Sequence, residues 1–97
     1  MKIRYTSKAL EQLDAIYSYI EAHSPRAAPA VKARVQRAIG RLAHFPYSCR
    51  ATAHPGIRVL SIVRYPYLVF YTVDEGAQEV QILRVRHAAQ DPARHLD

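Results

Sequence analysis

Tyr67-Leu68-Val69-Phe70-Tyr71-Thr72-Val73, then Asp74-Glu75-Gly76, then Val80-Gln81-Ile82-Leu83-Arg84-Val85-Arg86-His87: this stretch decides the fold. The first run is almost wholly apolar and rich in β-branched and aromatic residues. That composition predicts a strand central to a sheet and covered on both faces. Asp74-Glu75-Gly76 signals a hairpin turn, and Val80 to His87 reads as the returning strand. Side chains alternate along a strand. Arg84 and Arg86 therefore share one face, and His87 falls on the other. Tyr67 and Tyr71 also share a face and read as core more readily than as a stacking platform.

Upstream, Ile57 to Arg64 is a further β-branched run, closed by the break Tyr65-Pro66. Residues 46–56 form a connector carrying Cys49, Arg50, His54, Pro55 and Gly56. Before the connector the apolar period becomes helical. Ala9, Leu10, Leu13, Ile16, Tyr17 and Ile20 make one stripe, with Ser7 as its cap and Pro25 as its end. Tyr19 falls on the outward side of that helix. A second helix opens at Ser24-Pro25, or a few residues on because Pro29 also lies in its early region. Val31, Val35, Ala38, Ile39 and Leu42 form its apolar face, and Phe45-Pro46 ends it. Arg34, Arg37 and Arg41 line one flank within roughly 60° of arc. Residues 2–6 form an opening strand. The expected fold is α+β in the order β-α-α-β-β-β, a helical hairpin packed on a small, mostly antiparallel sheet. The tail from Ala88 to Asp97, with Asp91-Pro92, reads as loosely held.

With 97 residues, a single domain over 1–97 is expected. Lys and Arg number 14 against 8 Asp and Glu, a formal net charge of +6. That excess favours an anionic partner: nucleic acid, an acidic protein surface or a membrane. It equally suits a basic, soluble protein. Cys49 is the only cysteine, which excludes an intrachain disulfide and any metal site built on cysteine pairs. The opening Met1-Lys2-Ile3-Arg4-Tyr5 lacks the apolar run of a signal peptide, and no stretch nears the roughly 20 apolar residues of a membrane span. A cytoplasmic protein without membrane partners is expected. Three glycines leave little for a phosphate cradle. No metal-ligand spacing or Ser/His/Asp arrangement is present, so neither cofactor nor metal is expected.

Three segments carry a resemblance. Tyr5-Thr6-Ser7, with Ala9-Leu10-Glu11-Gln12-Leu13 and Ile16-Tyr17-Ser18-Tyr19-Ile20, is similar to the opening strand and first helix of the RelE/ParE toxins. Gln12 stands where an acidic residue is common there. Tyr65 to Asp74 resembles their central strand. Ile82-Leu83-Arg84-Val85-Arg86-His87, followed by Asp91-Pro92, resembles the ParE-like ending, with Gln90 in place of the usual arginine. The resemblance spans nearly the whole chain and implies the toxin of a type II toxin–antitoxin pair. It also implies a cognate antitoxin, acidic in its toxin-binding segment. The superfamily holds two activities: RelE-like members cleave mRNA on the ribosome, and ParE-like members inhibit DNA gyrase.

RNA cleavage without a metal needs a base for the 2′-hydroxyl, cations for the phosphate and an acid for the leaving oxygen. His87 as base with Arg84 and Arg86 as phosphate clamps is the only catalytic set the sequence offers. Alternation separates its members. Leu68 stands where many RelE-like enzymes have arginine, and the late tyrosine is missing. A ParE-like binder of gyrase is the expected reading. A RelE-like endoribonuclease and an inactive partner-binding relative are the alternatives. Arg58, Arg64, Arg84, Arg86 and His87 are expected to meet the target, and Tyr19, Arg34, Arg37 and Arg41 the antitoxin. Each set also reads blandly: solvated faces for the arginines, and a hydrogen-bonded strand end for His87.

Overall fold

A computed structural model describes residues 1–90. The elements run β1 (Lys2–Tyr5), α1 (Ser7–His23), α2 (Ala28–Arg41), β2 (Arg50–Ala51), β3 (Ile57–Ser61), β4 (Tyr67–Asp74) and β5 (Glu79–His87), with a final 3-10 turn, Ala88–Gln90. The sheet order is β1-β5-β4-β3-β2. Only the β1–β5 pair is parallel; the other three are antiparallel. The expected α+β hairpin-on-sheet fold is present, with β2 added from the connector.

Local chemistry sets the boundaries. Thr6, not Ser7, caps α1: its Oγ1 accepts the Ala9 N–H at 3.1 Å. Ser7 is already the first helical residue. α1 ends at His23, before Pro25, and the Ser24 N–H donates to the Ile20 carbonyl at 2.7 Å. α2 starts at Ala28, with Pro29 in its first turn, because a proline there lacks only an N–H that has no helical partner. β3 stops at Ser61, three residues short of Arg64. Arg64 instead adopts a left-handed φ of 76° in the turn to β4. Gln78 does the same, at 56°, ahead of β5.

Both helices pack on one face of the sheet. Leu13 and Ile20 of α1, and Val31, Val35, Ile39 and Leu42 of α2, meet Val69 and Tyr71 of β4 and Val80, Ile82 and Val85 of β5. Each such side chain contributes about 1.5–3 kcal/mol by burial. Tyr71 is fully buried, and its hydroxyl donates to the Pro46 carbonyl at 2.8 Å, tying the connector to the core. β4 is the central strand, and Leu68 to Tyr71 are all buried. Its second face has no helical layer among the described residues. There Leu68 and Phe70 pack with Val59, Ile57 and Ala88 in a smaller cluster.

One irregularity controls the functional end of β5. Phe70 pairs with Arg84 and Tyr71 with Ile82, so Leu83 is an extra residue, a β-bulge. Val80 and Ile82 face the helices before it; Val85 and His87 do after it. The bulge lies where β1 gives out. Thr6 donates to the Leu83 carbonyl through Oγ1, at 3.0 Å, and Gln12 Oε1 accepts the Val85 N–H at 2.8 Å. Side chains from α1 and its cap thus take up the edge groups of β5 that β1 no longer reaches.

Candidate functional site: the end of strand β5

The helix-free face of the sheet is apolar at its centre and basic beside it. Arg84 lies cross-strand from Phe70, and Arg86 from Leu68. Arg50 of β2 lies opposite Val59. Arg84 is exposed and makes no hydrogen bond or ion pair with the described residues. On β1, by contrast, Arg4 is held by Glu79 at 2.6 Å. Leu68, where an arginine would complete a ribonuclease pattern, is buried in the cluster beneath Arg86.

His87 occupies the opposite face. Its Nδ1 accepts the Ala89 N–H at 3.1 Å. A nitrogen that accepts carries no proton, so this contact assigns a neutral ring protonated on Nε2. Such a ring offers a donor, and becomes a base only through another tautomer. Its plane meets the Tyr67 ring edge-on, 5.8 Å between centroids. Together with Tyr19, Ala15 and Ile16 these rings line a cleft of about 390 Å³ between α1 and the sheet. Burial, then the nearby Tyr19 phenol, pushes the Tyr67 phenol above its ordinary range. Tyr19 is 63% exposed and stacks on His23 at 4.1 Å.

The expected target-binding set does not form one patch. Arg84 and Arg86 share the helix-free face. His87 lies behind it, facing α1. Arg58 points to the helix side, where its Nη1 donates to the Cys49 carbonyl at 2.6 Å and its guanidinium lies 5.1 Å from the Tyr47 ring centroid. It braces the connector. Arg64 is exposed in the β3–β4 turn. The antitoxin set divides as well. Tyr19 lines the cleft beside His87, whereas Arg34, Arg37 and Arg41 line a separate groove of about 370 Å³ between α2 and β3. Phe45 and Val63, 62% and 64% exposed, flank that groove. Neither stood out in the sequence, because a connector phenylalanine and a strand valine both read as core.

No group of three or more His, Cys, Asp or Glu gathers as a metal site among the described residues. No helix there is long and apolar enough to cross a membrane.

Comparison with known proteins places this architecture. A family model described as the ParE toxin of the type II toxin–antitoxin system parDE matches residues 3–92. A putative toxin, Y4kP, from Sinorhizobium fredii is 39% identical over 89 residues, 92% of this chain and 90% of that protein. Toxin RelE2 of Caulobacter vibrioides is 40% identical over 90 residues, 92% of this chain and 97% of its own length. Among solved structures, the chromosomal ParDE system of P. aeruginosa superposes with a TM-score of 0.77 at 28% identity, covering 90% of this chain and 95% of that one. The RelBE2 toxin–antitoxin complex of Mycobacterium tuberculosis gives 0.60 at 27% identity, over 89% and 95%. The isolated E. coli RelE toxin shares the fold alone, 0.67 at 11% identity, over 97% and 90%. The match along residues 3–92, with two relatives near 40% identity, shows that the chain belongs to the ParE toxin family of type II toxin–antitoxin systems.

Proposed function

We propose that this toxin-family chain arrests growth by binding DNA gyrase rather than by cutting RNA. The observation that carries the reading is the position of the sheet between Arg84 and Arg86 on one side and His87 on the other. A general base must reach the proton it removes, within about 3 Å or through one water. A base behind the sheet does not serve a phosphate held in front of it. Occupation of His87 Nδ1 by the Ala89 N–H points the same way. What the helix-free face offers is an apolar centre of Val59, Leu68 and Phe70 with Arg84 and Arg86 alongside. That combination suits docking, with charge setting association rate and specificity.

A cognate antitoxin is the second partner. The solved relatives named ParDE and RelBE2 are a toxin–antitoxin system and a toxin–antitoxin complex. A net charge of +6 suits an acidic segment that orders on binding. Induced expression tests the reading in cells. Growth should stop, plasmid DNA should relax within a generation, and co-expression of the adjacent small gene should restore both. Growth arrest with normal supercoiling and position-specific mRNA cuts would favour the ribonuclease. Unaffected growth would favour an inactive, partner-binding relative.

A further inference from the structure

We infer that the groove between α2 and β3 is the seat of an acidic, amphipathic segment of the neutralising partner protein. This rests on the toxin–antitoxin reading above and specifies where and how that partner docks.

Three features meet in the groove. One wall is cationic. Arg34, Arg37 and Arg41 project from successive turns of α2. At about 1.5 Å of rise per residue they span about 10 Å. α2 contains no Asp or Glu. None of the three arginines makes a hydrogen bond or ion pair with a described residue. Three like charges left together on one short helix repel each other, and that repulsion is relieved when an anionic partner arrives. The floor is apolar: Leu42 is buried there, with Ala38 and Leu60 beside it. Exposed Phe45 and Val63 extend it towards solvent, an arrangement usual for surfaces that bury against another protein.

The third feature is a backbone anchor. β2 covers β3 only at Arg58 and Val59. The Ile57 carbonyl accepts the Thr52 N–H on the β2 side, and the Ile62 N–H donates to the Tyr67 carbonyl on the β4 side. Period-two alternation then turns the Ser61 N–H and carbonyl to the β2 side, where β2 has already ended. Ser61 lines the groove and is exposed. An incoming main chain finds a donor and an acceptor there, as in strand addition at a sheet edge.

These features select the occupant. Apolar side chains fill a volume of about 370 Å³, acidic ones spaced over about 10 Å meet the arginines, and the main chain takes Ser61. A nucleic acid backbone would use the arginines but leave the apolar floor unfilled.

The test uses the protein encoded by the adjacent gene, titrated against the full chain, with mixed-sequence 20-nucleotide RNA and duplex DNA as second probes. Arg37→Glu with Arg41→Glu, both at exposed positions, should raise the Kd for the protein at least about 30-fold with an unchanged melting temperature. A second, independent reading is hydrogen exchange: the Ser61 amide should exchange rapidly in the free chain and become protected in the complex. A Kd within threefold of wild type together with an unprotected Ser61 amide overturns this docking mode and leaves the toxin reading standing. Loss of RNA or DNA binding in the variant, with protein binding intact, also overturns it. Failure of the adjacent gene's protein to bind at all would sink the toxin–antitoxin reading, and this inference with it.

Discussion

Replacing Gln12 by alanine should cost the fold far more than a half-buried polar side chain on a helix surface usually does. Gln12 Oε1 accepts the N–H of Val85 at 2.8 Å, and Val85 is only 3% exposed. β1 has ended by this point, so no strand replaces the lost acceptor. A buried N–H left unpaired costs about 1–3 kcal/mol. Alanine is the better helix former by a few tenths of a kcal/mol, which offsets little of that. The expected net loss is about 1–2.5 kcal/mol. At about 4–8 °C per kcal/mol for a domain of this size, the melting temperature should fall by roughly 5–15 °C. Gln12→Glu keeps an acceptor at the same reach, and at pH 7 should stay within about 0.5 kcal/mol of wild type. Thermal and urea unfolding at pH 7 measure both. The consequence reaches function, because this bond pins the bulge that sends Arg84 and His87 to opposite faces. Loss of under 0.5 kcal/mol in the alanine variant, or equal damage from glutamate, would refute the edge-capping role.

Other substitutions probe the rest of the frame. Ile82→Ala removes a fully buried side chain at the centre of the helix-side core and should cost about 2–5 kcal/mol in urea unfolding. Tyr71→Phe loses the bond to the Pro46 carbonyl and should cost about 1–2 kcal/mol at pH 7. Burial pushes the Tyr71 phenol well above its ordinary value, so folding favours the protonated form. That contribution is complete below pH of about 10 and drains away as pH climbs towards the folded value. Wild type should therefore lose more stability than Tyr71→Phe above pH 10, and parallel pH profiles would contradict this. Leu68→Arg, which supplies the arginine of the ribonuclease pattern, should destabilise by about 2–3 kcal/mol through lost burial and its position opposite Arg86. It should not confer mRNA cleavage, since His87 stays behind the sheet.

Most of the architecture was legible because its signals are local. The period of 3.6 in α1 and α2, the apolar run of β4 and the turn at Asp74-Glu75-Gly76 each name their own structure. The β2 strand was not legible, because Arg50-Ala51 is a strand only by virtue of pairing with Val59 and Arg58. The cap moved from Ser7 to Thr6, two hydroxyls with the same chemistry one residue apart. The bulge did leave a trace: Val80 and Ile82 are core at even positions and Val85 at an odd one, which needs one extra residue between them. At the site, simple alternation already parted Arg84 and Arg86 from His87, and the structure keeps them apart. The loss of Arg58 to the connector, the tautomer of His87 and the groove lined by Phe45 and Val63 all depend on long-range contacts that no spacing announces. Asp91-Pro92, part of the motif that carried the resemblance, lies outside the described residues.

The most direct test of binding without cutting is a paired assay on one preparation of purified chain. Gyrase supercoiling of relaxed plasmid is followed beside primer extension on ribosome-loaded mRNA, for wild type and for His87→Ala. Supercoiling should be inhibited by both proteins, at most about tenfold more weakly by the variant, with the mRNA left intact. Ribosome-dependent cuts that vanish in His87→Ala, with supercoiling untouched, would contradict the account.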